Sequence, residues 1–259
     1  MSHSKIPRAV GMKAFQNKTF KTYDFEGVWR ASFGEPEQNF RTMVYGDSGN
    51  GKTDLVVQLA KYLAGFGRVY YNSFEEGESL TLQKAFGRHD LWSMEGKIIL
   101  GDRENFDLVI RRMKARNSPR FCIIDSLDYM RMTMADYQYF VEELPHKSII
   151  IISWSDGKKP KSQAAKDIEY MVDVKVRVHE YKAYVKCRFG GNEPFIIWPE
   201  YWENKAQAAE EAENVAPAKI SKTKSAKPSP GQTLFEDSET LPPPEDDEPD
   251  GFFGGTFSY

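Results

Sequence analysis

The sequence predicts an α/β protein with a mainly parallel central sheet, helices on both faces of the sheet and antiparallel strands near its C-terminal end. Short β-rich runs alternate with segments of helical spacing along most of the chain, which favours a parallel sheet with helical crossovers. Uninterrupted apolar runs such as Ile149–Ile152 are typical of strands covered on both faces. Residues 173–198 have instead the period-two alternation of strands with two different faces.

The predicted elements follow one another in a regular order. A strand at 40–46 leads into a helix at 52–66, in which Leu55, Leu59 and Leu63 recur at helical spacing. The remaining predicted elements are strands at 68–74, 96–100, 120–125 and 148–153 and helices at 79–87, 105–117 and 134–144.

Composition divides the chain into three regions. Residues 1–19 are predicted to form a flexible leader, residues 20–204 one folded domain, and residues 205–259 a disordered acidic tail. The tail has five basic and eleven acidic residues, a balance of -6 within a chain whose net charge is -3. Such a composition cannot bury enough apolar surface to offset the entropy lost on ordering the segment.

Composition also excludes several classes of protein. No run of about eighteen apolar residues is present, as a membrane-spanning helix would require, and the first twenty residues lack the apolar core of a secretory leader. Two cysteines are too few for a disulfide framework, and the four histidines lack the spacing of a zinc site. We therefore expect a cytoplasmic protein without a membrane partner.

The segment GDSGNGKT matches the phosphate-binding pattern G-x-x-x-x-G-K-[ST]. A predicted strand enters this segment and a predicted helix leaves it, as the motif requires. Its glycines let the backbone turn N–H groups toward an anion, and the helix N-terminus adds a positive dipole. Lys52 is expected to reach the β- and γ-phosphates of ATP, and Thr53 to bind Mg²⁺. The predicted nucleotide-binding residues are Gly46, Asp47, Ser48, Gly49, Asn50, Gly51, Lys52 and Thr53.

Acidic residues at the ends of two predicted strands complete the expected site. Asp125 ends a strongly apolar strand, where a carboxylate is costly unless it is paired or coordinated, so Asp125 is predicted to bind Mg²⁺ with Thr53. Glu75 and Glu76 follow another strand, and one of them would act as the base for the attacking water. Successive strand residues face opposite ways, so we expect only one of the two to point at the nucleotide.

These motifs resemble the RecA-like ATPase core, especially its RadA and DnaB branches. The resemblance covers the chain from about Phe20 to Trp202. Its most specific matches are the segments NSFEEGES at 72–79, IIDSLDYM at 123–130 and VKCRFGG at 185–191.

The resemblance implies a RecA-like P-loop NTPase fold, an ATPase activity, and Glu75 rather than Glu76 as the catalytic base. It also implies that Lys186 and Arg188 reach an ATP bound by a neighbouring subunit, or contact DNA. A residue supplied to the next subunit in this way implies a homo-oligomeric ring or filament.

The chain departs from these relatives after the strand at 148–153. It has Ser153, Trp154 and Ser155 where the relatives have a Gln or His that couples ATP to DNA. The zinc-ribbon, protease-like and helicase-type domains of the relatives have no counterpart in the sequence. We therefore expect a core-only member, similar to phage ATPases that anneal single strands, encoded by a bacterium or by a phage in a bacterial host.

A lysine-rich segment follows the same strand. Lysines neutralise phosphates and an aromatic ring stacks on a base, so this segment is predicted to bind single-stranded DNA. The predicted DNA-binding residues are Trp154, Lys158, Lys159 and Lys161, with Lys166 further along the segment.

The function that these features favour is a DNA-stimulated ATPase of recombination, repair or replication, oligomeric on single-stranded DNA. Two alternatives stay open. One is an ATP-gated scaffold or loader that hydrolyses little ATP and recruits a protein partner through its acidic tail. The other is a small-molecule P-loop kinase, although no Arg-rich lid is evident.

Overall fold

The computed structural model describes residues 9–215, and the side chains of residues 9–208. A nine-stranded sheet lies at the centre of this part of the chain. Its strands are β1 (Arg41–Gly46), β2 (Val69–Ser73), β3 (Ile98–Asp102), β4 (Phe121–Asp125), β5 (Ser148–Asp156), β6 (Lys159–Pro160), β7 (Val174–His179), β8 (Lys182–Cys187) and β9 (Phe195–Ile196).

Helices surround the sheet. Within residues 9–215, none of them is both long enough and apolar enough to cross a membrane. They are α1 (Met12–Gln16), α2 (Gly27–Phe33), α3 (Lys52–Leu63), α4 (Leu80–Arg88), α5 (Phe106–Lys114), α6 (Leu127–Met130), α7 (Met134–Glu143), α8 (Gln163–Met171) and α9 (Pro199–Val215), with a 3₁₀ helix at Leu91–Met94.

The sheet topology confirms the predicted fold class. The strand order is β3-β2-β4-β5-β1-β7-β8-β9, with β6 paired to β5. Strands β1 to β5 and β7 are parallel, whereas β6, β8 and β9 pair antiparallel with their neighbours. The parallel strands therefore direct their carboxyl ends to the same edge of the sheet, where ligands bind in open α/β folds.

Two apolar cores cover the two faces of the central strands. Val44 and Ile150 pack into the core that includes α3, whereas Met43 and Ile151 pack into the core beneath α7 and α8. This arrangement explains the uninterrupted apolar runs, since every residue of such a strand is buried on one face or the other. On β7 and β8 buried residues alternate with less buried ones, as the period-two pattern predicts. The buried residues all pack on the α3 side of the sheet: Val174, Val176, Val178, Ala183 and Val185.

The described boundaries differ from the predicted ones at both ends of the domain. Helix α9 continues to Val215, past the predicted boundary at 204/205, because its sequence is rich in the helix formers Ala and Glu. In the predicted leader, α1 forms a short helix whose side chains are exposed. The predicted disordered tail beyond 215, with its expected protein partner, lies outside the described residues, as do residues 1–8.

Side-chain caps fix the start of several helices. The clearest case is α7, where the Thr133 hydroxyl accepts a hydrogen bond from the Asp136 backbone N–H and the Asp136 carboxylate accepts one from the Thr133 backbone N–H. This reciprocal capping box satisfies two N–H groups that the helix itself cannot. It positions Tyr137 and Phe140, which are buried against the sheet.

We expect Thr133→Ala to lower the free energy of unfolding by about 1 kcal/mol, because it removes the acceptor for the first turn of α7. Urea unfolding monitored by circular dichroism measures this change. Thr19→Ala, at an exposed leader position outside any helix, serves as the matched control and should leave the midpoint unchanged. Equal effects of the two substitutions would contradict the assigned cap.

Candidate nucleotide site

The P-loop, residues 46–53, connects the carboxyl end of β1 to the N-terminus of α3. Two of its glycines cannot carry a side chain. A Cβ on Gly46 would lie 2.4 Å from the carbonyl oxygen of Val178, and one on Gly51 would lie 2.5 Å from the ring of Tyr181. Gly51 also has a φ of 94°, in the left-handed region that favours glycine. The loop thus packs directly on β7 and on the turn that follows it.

Hydrogen bonds fasten the P-loop to that turn. The Asn50 side-chain carbonyl accepts from the Glu180 backbone N–H at 2.7 Å, and the Asn50 backbone carbonyl accepts from the Tyr181 N–H at 3.0 Å. On the other side of the loop, the Ser155 hydroxyl at the end of β5 donates to the Asp47 carboxylate at 2.5 Å. The strands on either side of β1 therefore both hold the loop that leaves it.

Lys52 lies in an acidic and partly buried environment. Its ammonium group donates to the backbone carbonyl of Asp47 at 3.0 Å. Burial lowers the pKa of Lys52, and the negative charges of Glu75 and Asp125 oppose that shift, as do those of Asp47 and Asp128. The ammonium group is thus close to the two carboxylates that the sequence predicts for the metal and the water.

Asp125 is buried at the end of β4, with 5% of its surface exposed. Its carboxylate accepts a hydrogen bond from the Tyr71 hydroxyl at 2.7 Å. Burial raises the pKa of Asp125 to about 7; the Tyr71 hydrogen bond lowers it, and the nearby carboxylates of Glu75 and Glu76 raise it further. The backbone N–H groups of Phe74 and Glu75 donate to the Asp125 carbonyl, which places the end of β2 beside the end of β4.

The two adjacent glutamates have different surroundings. Glu76 accepts hydrogen bonds from the hydroxyls of Ser79 and Thr81 at the start of α4. Glu75 lies near Lys52: burial raises the pKa of Glu75, and the Lys52 charge is the largest opposing effect. The side chain of Trp154 is also close enough to lower the pKa of Glu75. The two candidates for the base thus have different surroundings, and Glu75 is the one whose pKa responds to the Lys52 charge.

The groups around Lys52 fit a nucleotide with its magnesium ion. Carboxylate and hydroxyl oxygens are the ligands that Mg²⁺ prefers, and Asp125 and Thr53 provide them. Within the described residues, the Ser73 hydroxyl, at the end of β2, is buried without a hydrogen-bond partner. Buried polar groups normally have a partner, so this hydroxyl is consistent with a polar ligand at this edge.

The predicted DNA segment forms a tight hairpin after β5. Lys158, Lys159 and Lys161 are exposed, and the Lys161 ammonium group lies 5.8 Å from the centroid of the Trp154 ring. The Tyr129 ring packs edge-on against Trp154 at 5.1 Å. Trp154 therefore lies near both the Lys161 ammonium group of the lysine hairpin and the candidate base Glu75.

Lys186 and Arg188 lie away from the P-loop of their own chain. Strand β8 begins at the P-loop edge with Lys182 and runs toward the opposite edge of the sheet, where both residues are exposed. Arg188 is 3.5 Å from the carboxylate of Asp173. The structure does not bring either residue together with Lys52, so a role at a nucleotide would require a second subunit.

Three residues at the site were missed from the sequence. Tyr71 precedes the end of β2 and could have been found only from the register that sets it near Asp125. Tyr181 and Asp128 hold their positions through contacts distant in sequence: Tyr181 supports Gly51, and the Asp128 carboxylate accepts from the Ser153 hydroxyl and the Trp154 N–H. The turn that contains Tyr181 matches no sequence motif, so its contact with the P-loop could not be predicted.

A solved structure has a similar fold. The chain aligns with the crystal structure of the KaiC-like protein PH0186 from the hyperthermophilic archaeon Pyrococcus horikoshii OT3, with a TM-score of 0.51 and 19% sequence identity. The alignment covers 69% of this chain and 94% of that one. No protein-family model and no curated protein matches the sequence.

The fold and the loop together define an α/β protein with a RecA-like core and a P-loop. At 19% identity the similarity establishes this fold alone. The finer resemblance to RadA and DnaB stays a prediction.

The raised pKa of Asp125 has a consequence for stability. Because the folded protein keeps a proton on Asp125 up to about pH 7, while the unfolded chain loses it near pH 4, this group makes folding less favourable as the pH rises between those values. Asp125→Asn retains an oxygen acceptor for Tyr71 and removes the titration. We expect the variant to gain roughly 2–4 kcal/mol of stability relative to the wild type on going from about pH 4 to pH 8.

Urea unfolding at both pH values, without nucleotide or magnesium, measures this difference. Asp107→Asn, at an exposed position on α5, is the control and should show no comparable pH-dependent gain. A stability difference between Asp125→Asn and the wild type that stays constant with pH would contradict the assignment.

Proposed function

We propose that the protein binds ATP with Mg²⁺ and hydrolyses it to ADP and phosphate. The observation that carries this proposal is the convergence of Lys52, Asp125 and Glu75 at the carboxyl ends of β1, β4 and β2. A phosphate loop, a buried acid and a second acid near the same lysine are the parts that a P-loop NTPase needs.

Binding follows from the P-loop itself. Its backbone N–H groups and the N-terminus of α3 would bind the phosphates, and Lys52, which donates to the Asp47 carbonyl, would neutralise the β- and γ-phosphates. Thr53 and Asp125 would hold the magnesium ion, which neutralises phosphate charge when bound. Burial raises the pKa of Asp125, and a bound magnesium ion would favour its ionised form.

Hydrolysis requires a group that receives a proton from water. Glu75 takes this role: its carboxylate accepts a proton as the water oxygen bonds to the γ-phosphorus, and the bond to the β,γ-bridging oxygen breaks. A base with a raised pKa accepts the proton more readily near neutral pH, and burial raises the pKa of Glu75. Glu76 is held at the start of α4 and takes no part.

We further propose that the protein acts on single-stranded DNA as a homo-oligomer. The exposed lysines next to Trp154 support the first part, since the same tryptophan lies near Glu75 and can relay DNA binding to hydrolysis. The position of Lys186 and Arg188, away from their own P-loop, supports the second, because they can complete a site only on a neighbouring subunit.

An ATP-gated scaffold is the second candidate function. The same position of Lys186 and Arg188 favours it, because an isolated subunit lacks these cations at its own nucleotide and would bind ATP with slow turnover. A small-molecule kinase has no comparable support from the described residues. The rate of ATP hydrolysis measured with and without DNA distinguishes the DNA-stimulated ATPase from the scaffold.

We expect Glu75→Gln to lower the rate of ATP hydrolysis by about two orders of magnitude or more, because it removes the general base while preserving the shape of the side chain. Glu76→Gln is the matched control and should retain most of the activity. Phosphate release by purified protein measures both rates. If the two substitutions exchanged effects, Glu76 would be the base; unchanged turnover in Glu75→Gln would remove Glu75 from the mechanism.

We also expect single-stranded DNA to stimulate hydrolysis more than duplex DNA at low salt. Replacing Lys158, Lys159 and Lys161 together by Ala should abolish the stimulation and leave the basal rate unchanged, because these residues lie on the exposed hairpin. The rates are compared without DNA, with single strands and with duplex. Hydrolysis that is indifferent to every nucleic acid would contradict the role in DNA metabolism and favour the scaffold.

A further inference from the structure

One face of the β7–β8 hairpin consists only of basic and aromatic residues, some of them exposed and some half-buried. Its buried face consists of small apolar residues, as described for the α3 core. The residues that alternate with these buried ones along both strands form the opposite side of the hairpin, here named the ribbon face. The ribbon face consists of Lys175, Arg177 and His179 on β7 and of Lys182, Tyr184 and Lys186 on β8.

The cations of the ribbon face lie close to one another. In the antiparallel register Lys175 is opposite Lys186, and Arg177 is opposite Tyr184. Like charges directly opposite each other destabilise a sheet. Stability of the fold therefore does not explain this arrangement, and a bound anion would relieve the repulsion.

Aromatic rings lie between these cations. The Arg177 guanidinium carbon is 4.5 Å from the centroid of the Tyr184 ring, and the Lys182 ammonium is 5.6 Å from the same ring. Lys175 approaches the ring of Tyr170 on α8 at 5.1 Å. Tyr184 and Tyr170 remain 36% and 71% exposed, so both rings have surface available to a ligand.

The carboxylates around the ribbon face are occupied by other groups. Asp173 contacts Arg188, Glu180 contacts Lys205, and Glu169 accepts from the Tyr45 hydroxyl. Among the side chains of residues 9–208, no carboxylate forms an ion pair with the four cations of the ribbon face. Their charge is therefore available to an external polyanion.

The ribbon face is connected to the lysine hairpin after β5. The Lys159 ammonium lies 3.7 Å from the Glu169 carboxylate, which also accepts from the Tyr45 hydroxyl at 3.3 Å. Tyr45 is paired with Arg177 in the parallel register of β1 and β7. The two basic surfaces thus lie on the same side of the sheet and are separated by a few side chains.

We infer that the ribbon face binds single-stranded DNA and extends the surface proposed for the lysine hairpin; the inference rests on the proposed function. Cations neutralise the phosphates, and the exposed tyrosines stack on unpaired bases, a combination typical of single-strand sites. Free phosphate would need no exposed aromatic rings, and duplex DNA would offer no base faces to them.

The same hairpin contacts the nucleotide site. Its turn donates hydrogen bonds to Asn50 of the P-loop through Glu180 and Tyr181. Only the turn between β7 and β8 would therefore separate a DNA strand on the ribbon face from the phosphates of ATP. This contact is a second route, besides Trp154, by which DNA can affect hydrolysis.

The test is the binding of a fluorescent single-stranded oligonucleotide to the full-length chain, followed by anisotropy at several salt concentrations. The ribbon variant is Lys175→Gln, Arg177→Gln and Lys182→Gln combined. The matched control removes the same charge from exposed positions elsewhere on the surface, Lys84→Gln, Arg111→Gln and Arg116→Gln. Circular dichroism melts of both variants report whether the fold is retained.

We expect the ribbon variant to bind about tenfold or more weakly at low salt, with the slope of log affinity against log salt reduced by about 2, because about 0.7 is lost per phosphate contact. Tyr184→Leu should weaken binding without changing the slope, and the control variant should bind as the wild type. Competition by excess duplex should be weaker than competition by unlabelled single strands.

Several results would overturn the inference. Wild-type affinity in the ribbon variant, with loss of binding only when Lys158, Lys159 and Lys161 are replaced, would refute the ribbon face and leave the proposed function intact. Equal weakening in the control variant, or preference for duplex, would also refute it. Binding that depends on the ribbon face without any effect of DNA on hydrolysis would instead refute the DNA-stimulated ATPase, while an absence of binding by the wild type would overturn both.

Discussion

The electrostatic grouping of Lys52 with the carboxylates of Glu75 and Asp125 is the constraint on which the rest of the site depends. Each of these groups would be costly to bury alone, and they can be close together only because parallel strands end at one edge of the sheet. The order of the strands places β4 beside β2 and connects both to β1 through β5. Hydrogen bonds from Ser155 and Tyr71, and those at the strand ends, then fix the loops around the charged groups. The order of the strands therefore determines which charged groups meet.

The β7–β8 hairpin contributes to the molecule in two ways. Its apolar face completes the core beside α3, and its turn supports Gly51 and Asn50 of the P-loop. A hairpin with only one buried face leaves the other face free to carry charge without a cost in packing. The accumulation of lysine and arginine on that free face is therefore a property that the fold permits and does not require, which is why it points to a ligand.

Local patterns in the sequence were sufficient to place the glycine-rich loop between β1 and α3, the buried parallel strands and the acid at the end of β4, because each of these depends on residues that are neighbours in the chain. The choice between Glu75 and Glu76 could be framed from strand geometry, but only the fold shows that α4 engages Glu76. Tyr71 and Tyr181 escaped prediction because their roles arise from strand register and from a turn distant in sequence. The end of α9 could not be located from composition, because composition suggested disorder from Lys205, whereas Ala and Glu at helical positions continue the helix to Val215.

The contact between Asn50 and the turn after β7 has a thermodynamic consequence if the ribbon face binds DNA. Two ligands that touch opposite ends of one structural element share a coupling free energy, and this coupling is reciprocal. Whatever factor bound DNA applies to the affinity for nucleotide, nucleotide must apply to the affinity for DNA. Hydrolysis of ATP would then change the affinity of the protein for single-stranded DNA. DNA would be released at one stage of the ATP cycle without any large movement of the sheet.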